Sequence, residues 1–338
     1  MRAALREAKR GTGQTSPNPA VGAVIVRSGR IVAAGWHRQA GLPHAEIEAL
    51  HALKKAGAAR GATLYVTLEP CSTHGRTPPC TDAVVAAGIA RVVAGATDPN
   101  PKHAGAGFAR LRAAGINVTT GVLEQECREL NTAFNKWIVT RSPYVIAKAG
   151  MSLDARLTLP PGEGQWLTSA ASRADAMKLR ARVDAILIGA NTLRADNPRL
   201  TVRGIAGARQ PWRVVVARGS ELPQDAHLFS DEHRARTLVY RGRSLPAVLR
   251  DLGKREITSV LIEGGTRVLG EAFDQRLVDE VQFYMAPLLC GGPHVVIGGR
   301  GAGSTAESLQ LRNVRYSKIG GDLRLTGFPL SPTPSPVP

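Results

Sequence analysis

The chain has 338 residues, 43% of them hydrophobic and only 4% aromatic, enough apolar content for two cores built from aliphatic side chains. No apolar run approaches the ~20 residues needed to span a bilayer. The N-terminus MRAALREAKRGTG has scattered charges and no apolar stretch of the kind that opens a secretory signal, so the expectation is a cytoplasmic protein. The net charge of +17 comes mostly from arginines spread along the whole chain, without a Lys/Arg block or interleaved aromatics. That pattern reads as a solvated basic surface, fits attraction for phosphorylated small molecules, and argues against a nucleic-acid binder.

In chain order, residues 20–27 (AVGAVIVR) and 31–36 (IVAAGW) read as a strand pair turning at Ser28-Gly29. Residues 43–57 (PHAEIEALHALKKAG) read as a helix with Ile47, Leu50 and Leu53 on one face and Gly57 as its stop. The strand TLYVTL (63–68), a helix from about Thr81, the strand RVVAGATD, a helix near 108–114 and INVTTGV continue the alternation. Such alternation predicts a largely parallel sheet covered on both faces. After a helix over 124–137 the pattern resets at Arg141-Ser142-Pro143. A second series then follows: YVIAKAG, DAILIG, RVVVAR, TLVYR, SVLIEGG and DEVQFYMAP as strands with helices between. The expected organisation is therefore a first domain over 1–141, a second over 142–328 and a disordered proline-rich tail over 329–338. The apolar strand DEVQFYMAP is a candidate surface for a second copy, making a homo-oligomer.

The chemistry concentrates in LEPCSTHGRTPPCTDA, residues 68–83, where Cys71 and Cys80 bracket an irregular loop. Thiols stay reduced in the cytoplasm, which favours a metal or catalytic role over a disulfide. His44 opens a predicted helix, Cys71 leaves a strand at its C-terminal end, and Cys80 starts the next helix. In open α/β sheets ligands gather at those strand ends. One imidazole and two thiolates make a tetrahedral zinc site with one position open. Zinc lowers the pKa of water at such a position toward ~7, and Glu46, two residues past His44, is placed to move that proton. A histidine at a helix start is more often a cap, and two reduced cysteines are often core; the combination carries the functional reading. His-x-Glu with Pro-Cys-x-x-Cys marks the zinc nucleobase deaminases, the glutamate not being a ligand; here eight residues separate the cysteines. His51, His74 and His103 are rival ligands, His51 reading best as an ordinary helix residue.

With SPNPAVGAVIV, GWHRQAG-LPHAEIEAL and TDPNP, these residues resemble the deaminase half of the bifunctional riboflavin-biosynthesis deaminase/reductase family. KAGMSLDARL, GQWLTS, LRARVDAILIGANTLRADNPRLTVR, QPWRVVV, LIEGG and LVDEVQFYMAP resemble its reductase half, in order, to about residue 295. The resemblance implies an α/β protein: a cytidine-deaminase-like three-layer domain, then a dihydrofolate-reductase-like one. It implies Zn2+ and NADPH as cofactors and a phosphorylated pyrimidine as substrate, deaminated first and then reduced from ribosyl to ribityl. Residue by residue it implies Asn18, His37, Arg76 and Thr77 as substrate contacts in the first half. In the second it implies Gly150, Trp166, Thr192, Asp196 and the run Gly265-Thr266-Arg267-Val268-Leu269-Gly270 at NADPH. Arg180, Leu200, Arg203 and Glu263 would hold the substrate, with Lys148 and Asp154 at the same cleft. Trp166 reads equally well as core. No GxGxxG follows a strand, so a Rossmann domain is not indicated.

Three positions depart from the family pattern. Thr73 stands where a histidine follows Cys-Ser, with His74 next. Ala155 replaces a glycine, disfavoured if the turn needs positive φ, and Ala217 replaces an aspartate expected after the strand at 213–216. Two alternatives stay open: a deaminase with a diverged or inactive reductase domain, and a basic nucleic-acid-editing or -binding protein. Salt-dependent retention on nucleic acid against saturable NADPH binding separates them.

Overall fold

The structure is a computed structural model that describes residues 1–55, 57–74, 78–101, 103–157, 166–219 and 221–330. It divides into two compact units, Met1–Ser142 and Pro143 onward. Among the described residues no helix is long and apolar enough to cross a membrane.

The first unit runs α1 (Arg2–Lys9), β1 (Gly22–Arg27), β2 (Arg30–Trp36), α2 (Ala45–His51), β3 (Thr63–Leu68), α3 (Cys80–Ala86), β4 (Arg91–Ala96), α4 (Ala106–Ala113), β5 (Asn117–Thr119), α5 (Glu124–Leu130) and α6 (Thr132–Thr140). Its sheet has the order β2-β1-β3-β4-β5. The turn between β1 and β2 has Ser28 and Gly29 at φ 48° and 72°, the two positive values that a tight hairpin requires. β1 is antiparallel to both neighbours, whereas β3, β4 and β5 are parallel, so the sheet is mixed rather than largely parallel.

Helices cover both faces. A Cβ at Gly22 would stand 2.1 Å from the Ala4 carbonyl of α1, and one at Gly35 would stand 2.4 Å from Ala49 N of α2. Gly35 pairs with Ala23, the residue after Gly22, so the two glycines face opposite ways and so do the helices above them. Between the layers lie Ala23, Ile25, Leu64, Val66, Val92 and Leu111.

Two predicted helices differ. α2 stops at His51, not at Gly57, and its buried residues are Ala45, Glu46 and Ala49; Leu50 and Leu53 pack only partly buried against the core. The helix expected over 124–137 breaks at Asn131, whose φ and ψ are −120° and 27°. There the Asn131 side chain accepts from Ala20 N at 2.8 Å and donates to Ala20 O at 2.9 Å, acting as a buried stand-in for a strand backbone.

The second unit runs β6 (Tyr144–Ser152), α7 (Ala170–Arg180), β7 (Ala185–Gly189), α8 (Ala190–Asp196), β8 (Trp212–Ala217), α9 (His227–Ser230), β9 (Thr237–Arg241), α10 (Leu245–Lys254), β10 (Ser259–Ile262), α11 (Thr266–Asp274), β11 (Glu280–Ala286), β12 (Leu311–Ile319) and β13 (Asp322–Pro329). The sheet order is β12-β13-β11-β6-β10-β7-β8-β9. β6 to β11 are mutually parallel, and β7 and β10 are buried along their whole length, as parallel strands covered on both faces must be.

The β12–β13 hairpin is absent from the strands read in the sequence. It pairs antiparallel with β11 through β13. This corrects two expectations. DEVQFYMAP is flanked on one side by β6 and on the other by β13, so it has no free edge to offer a second copy. Pro329 ends β13, and Leu330 N donates to Gln310 O at 2.9 Å, so neither belongs to a tail. Residues 331–338, the rest of that predicted tail, lie outside the described residues. Ala217 is the buried last residue of β8, not a residue beyond it.

Candidate metal centre and the buried arginine–glutamate pair

In the first unit three element ends converge. His44 is the N-cap of α2 in extended conformation, Cys71 follows the end of β3, and Cys80 is the first residue of α3. His44 Nδ1 lies 3.6 Å from Cys71 Sγ and 3.3 Å from Cys80 Sγ, and the three donor atoms lie within 4.8 Å of one another. Bonds of about 2.0 Å to nitrogen and 2.3 Å to sulfur, meeting at a tetrahedral angle, leave donors about 3.6 Å apart. The donor set therefore fits zinc with a fourth position open. Among the described residues no other His, Cys, Asp or Glu group gathers in this way. His51 ends α2 exposed, His74 is exposed, and His103 lies beside Thr73 with Nδ1 3.3 Å from its hydroxyl.

The electrostatics suit a metal. The Cys71 thiol is held down to about 4, chiefly by its hydrogen bond with Cys80 and also by His44. That sharing, together with burial, pushes Cys80 up, while the bond to Cys71 raises His44. Glu46 is 3% exposed. Burial pushes its carboxyl up to about 7, with the His44 charge acting the other way.

His37 is buried and stands edge-on to His44, ring centroids 5.1 Å apart. Its Nδ1 is 3.0 Å from the Pro43 carbonyl and its Nε2 is 3.0 Å from Asn18 Nδ2. A carbonyl only accepts, so Nδ1 carries the proton and Nε2 accepts from the Asn18 amide. Burial lowers the His37 pKa, which keeps this neutral form. Asn18, His37 and His44 are thus brought together. Arg76 and Thr77 lie outside the described residues.

One residue went unnoticed in the sequence. The buried Glu69 carboxylate accepts backbone N–H bonds from Asp98 and Gly105 on Oε2, at 3.1 and 3.0 Å. Its Oε1 accepts from Gly107 and Phe108, at 2.8 and 3.4 Å. The adjacency of Glu69 to Pro70-Cys71 was visible, but its partners lie far away in sequence and are backbone groups.

In the second unit the predicted substrate residues gather at the end of β10. Arg180 grips Glu263 with Nε and Nη2 at 2.6 and 2.7 Å and sends Nη1 to Thr201 O at 3.0 Å. Lys148 Nζ is 3.8 Å from Glu263. Arg203 reaches Thr201 Oγ1 at 3.2 Å, and Leu200, buried with φ 50°, shapes that turn. Burial works to raise Glu263, but the Arg180 and Lys148 charges outweigh it and hold the carboxyl below its ordinary range. Burial and the neighbouring Arg180 lower Arg203. Two guanidiniums this close to one carboxylate leave positive charge to spare for an anion.

The cofactor residues predicted from the resemblance separate. A Cβ at Gly265 would stand 3.2 Å from Thr192 Oγ1, and one at Gly150 would stand 3.2 Å from Thr168, so Thr192 and the start of α11 adjoin. Trp166 is 64% exposed under Arg173, which removes the core reading. Asp196 is exposed at the end of α8. Within the run at 265–270, Val268 and Leu269 are core residues. Gly270 lies against Gly298, whose carbonyl carbon would be 2.3 Å from a Cβ there. The outward-facing part contracts to Gly265, Thr266 and Arg267, with the Thr266 hydroxyl donating to Val295 O at 2.8 Å. Asp154 accepts from Ser152 Oγ and from the N–H groups of Cys290 and Gly291.

Residues 1–96, which contain His44, Cys71 and Cys80, match the family model of the cytidine and deoxycytidylate deaminase zinc-binding region, and residues 143–325 match that of the RibD C-terminal domain. The riboflavin biosynthesis protein RibD of Aquifex aeolicus (strain VF5) is 40% identical over 344 residues, covering 96% of each chain. This chain belongs to the RibD family. RibD of Escherichia coli (strain K12) is 43% identical over 324 residues, 86% of this chain and 88% of its own. Acinetobacter baumannii RibD (form 1) superposes with a TM-score of 0.91 at 35% identity, covering 98% of both chains. A Thermotoga maritima crystal structure, described as a diaminohydroxyphosphoribosylaminopyrimidine deaminase/5-amino-6-(5-phosphoribosylamino)uracil reductase, gives 0.86 at 36% identity, covering 98% of this chain and 97% of its own. The first unit is thus the cytidine-deaminase-like RibD domain with its zinc site at His44, Cys71 and Cys80, and the second is the dihydrofolate-reductase-like RibD domain.

Proposed function

We propose that this chain performs two successive steps of riboflavin biosynthesis on a phosphorylated pyrimidine. The first is hydrolytic deamination of 2,5-diamino-6-ribosylamino-4(3H)-pyrimidinone 5′-phosphate. The second is reduction of the ribosyl group of the product to ribityl by NADPH. The observation that carries the reading is the convergence of His44, Cys71, Cys80 and buried Glu46 in a chain 40% identical to a curated RibD over 96% of its length.

A zinc ion held by His44 Nδ1 and the two cysteine sulfurs supplies the Lewis acidity that makes water a nucleophile near neutral pH. Glu46 takes one proton from the attacking water and gives it to the ring nitrogen, then takes the proton remaining on the added oxygen and passes it to the departing amine, so that ammonia leaves and the ring carbonyl forms. A carboxyl poised near 7 is matched to giving and taking protons at physiological pH. His37, fixed as the Nδ1–H form, holds Asn18 at the edge of the site, where its amide can meet the pyrimidine. Arg76 and Thr77 would serve the phosphate.

In the second unit Arg180, Arg203 and Lys148 form the seat for the same phosphoribosyl arm, with Glu263 fixing their geometry. NADPH would be held by Gly150, Trp166, Thr192, Asp196 and the start of α11, and would supply the hydride. The intact Arg180–Glu263 cluster supports an active reductase. The reactions belong in the cytoplasm, consistent with four unpaired cysteines. The basic surface serves phosphorylated small molecules and not nucleic acid.

Glu46→Gln keeps size and polarity and removes the base. The variant is expected to retain zinc, to release no detectable ammonia from the diamino substrate, and still to oxidise NADPH when given the deaminated aminouracil phosphate. Ammonia release near the wild-type rate would refute the role of Glu46, and a wild-type chain inert in both half-reactions would refute the assignment.

A further inference from the structure

We infer that His103 is a substrate-contacting residue of the deaminase site, meeting the substrate's phosphate, and that Glu69 is the positioning residue that presents it. The inference rests on the deamination proposed above.

The segment after β4 reads TDPNPKHAGAG and carries little that would hold it by packing. Glu69 holds it instead. Its two oxygens collect four N–H groups, from Asp98 at one end of the segment and from Gly105, Gly107 and Phe108 at the other. A carboxylate bonded in this way is a charge-assisted anchor, stronger than neutral loop contacts. The two segments also touch directly, since a Cβ at Gly107 would stand 2.1 Å from the Pro70 carbonyl. The loop is therefore locked to the residues immediately before Cys71.

Within the loop the hydrogen bonds lead to one side chain. Asn100 N donates to Asp98 Oδ1 at 2.9 Å, and His103 N donates to Asn100 O at 2.9 Å. The His103 ring then meets Thr73, two residues past Cys71, with Nδ1 3.3 Å from Oγ1. Asp98 lies close enough to both His103 and Cys71 for each charge to act on its carboxyl. His103 is half-buried, and its Nε2 has no partner among the described residues. In the tautomer whose Nδ1 accepts from Thr73, the proton sits on Nε2, an N–H donor at the rim of the metal site.

The chemistry of the occupant follows from position. The reacting ring carbon must reach the centre formed by His44, Cys71 and Cys80, which leaves the phosphoribosyl arm at the rim. An imidazole N–H there suits a phosphate oxygen, while the Thr73 hydroxyl, its hydrogen given to Nδ1, holds the ring that offers it.

The test uses the full-length zinc-loaded chain and ammonia release from two substrates, the 5′-phosphate and its dephosphorylated nucleoside. His103→Ala is expected to raise KM for the phosphate about tenfold to a hundredfold, with kcat within about threefold of wild type. The loss of kcat/KM should be at least about tenfold larger for the phosphate than for the nucleoside. Glu69→Gln should reproduce this pattern, and the double variant should be no worse than the weaker single one, because both remove one interaction. An unchanged KM, or equal losses on both substrates, would overturn the inference. So would zinc loss in His103→Ala, which would make the residue structural. If Glu69→Gln fails to fold, His103→Ala decides alone. A wild-type chain that releases no ammonia from either substrate defeats the deamination reading itself and this inference with it.

Discussion

Arg180 and Glu263 meet side to side, with Nε and Nη2 2.6 and 2.7 Å from the two carboxylate oxygens, tying the end of α7 to the end of β10. Both side chains are nearly buried, 11% and 5% exposed. Removing one partner of such a pair strands the other charge, at a typical cost of ~3–5 kcal/mol. Lys148 remains 3.8 Å from the carboxylate and softens the loss. Arg180→Met should therefore destabilise the reductase unit by about 3 kcal/mol in urea denaturation and abolish turnover of the aminouracil phosphate. Wild-type stability in this variant would show the pair to be dispensable.

The same pair sets an acid limit. The Glu263 carboxyl sits below its ordinary value because Arg180 and Lys148 outweigh its burial. A depressed carboxyl gives stability that is full above the unfolded pKa, ~4.3 for Glu, and lost as pH falls through the folded value. The difference in Tm between wild type and Arg180→Met should be widest near neutrality and narrow on acidification below about pH 4. A difference that stays constant from neutral to acid pH would exclude Glu263 as its source.

Zinc content separates the cysteines. Cys80→Ser should lose the metal by elemental analysis. Cys127→Ser should keep it, because Cys127 lies in α5 with its sulfur packed over Gly95. Equal zinc in both chains would be incompatible with the assigned ligands.

Asn131 replaces a strand neighbour for Ala20. Asn131→Ala leaves a buried N–H and a buried C=O without partners, and each such group costs ~1–3 kcal/mol. The deaminase unit should lose about 2–4 kcal/mol in calorimetry, while NADPH oxidation on the deaminated substrate persists.

Ala155 and Ala217 now predict opposite outcomes. Ala155 has φ 57°, where an L side chain costs ~1–2 kcal/mol relative to its relaxed conformation. Ala155→Gly should raise the Tm of the reductase unit by about 2–4 °C. Ala217 is a buried strand residue of ordinary φ. A carboxylate introduced there would be desolvated, so Ala217→Asp should lower the Tm. A gain from Ala217→Asp, or none from Ala155→Gly, would contradict these readings.

The parts of the molecule legible in the sequence were those set by local chemistry. Ser28-Gly29 between apolar strands forecast a tight hairpin, and the zinc ligands and Glu46 were readable because rare residue types stand at element ends. α2 was over-read because Ala52 to Lys55 are good helix formers, and the fold overrides that propensity to seat Leu53 on the core. The kink at Asn131 answers to Ala20, more than a hundred residues away, which no local pattern records. The β12–β13 hairpin was missed because β12 is exposed along most of its length and shows polar and charged side chains on both faces. Glu69 was passed over for a related reason: its partners are main-chain groups, anonymous in a sequence.

The strand order of the reductase sheet has a consequence for how the chain emerges from the ribosome. β6 lies between β10 and β11 and has no other strand beside it. Those neighbours are synthesised roughly 100 residues later, some 5–20 s at typical elongation rates. For that interval VIAKAGM is an apolar segment with both edges open, the condition in which chaperones capture nascent chains and in which aggregation begins. The deaminase sheet, by contrast, has its last strand at residues 117–119, each strand of it meeting a partner soon after leaving the tunnel. Slow codons or an overloaded chaperone system should therefore show themselves first as lost reductase yield, with zinc-loaded deaminase still accumulating.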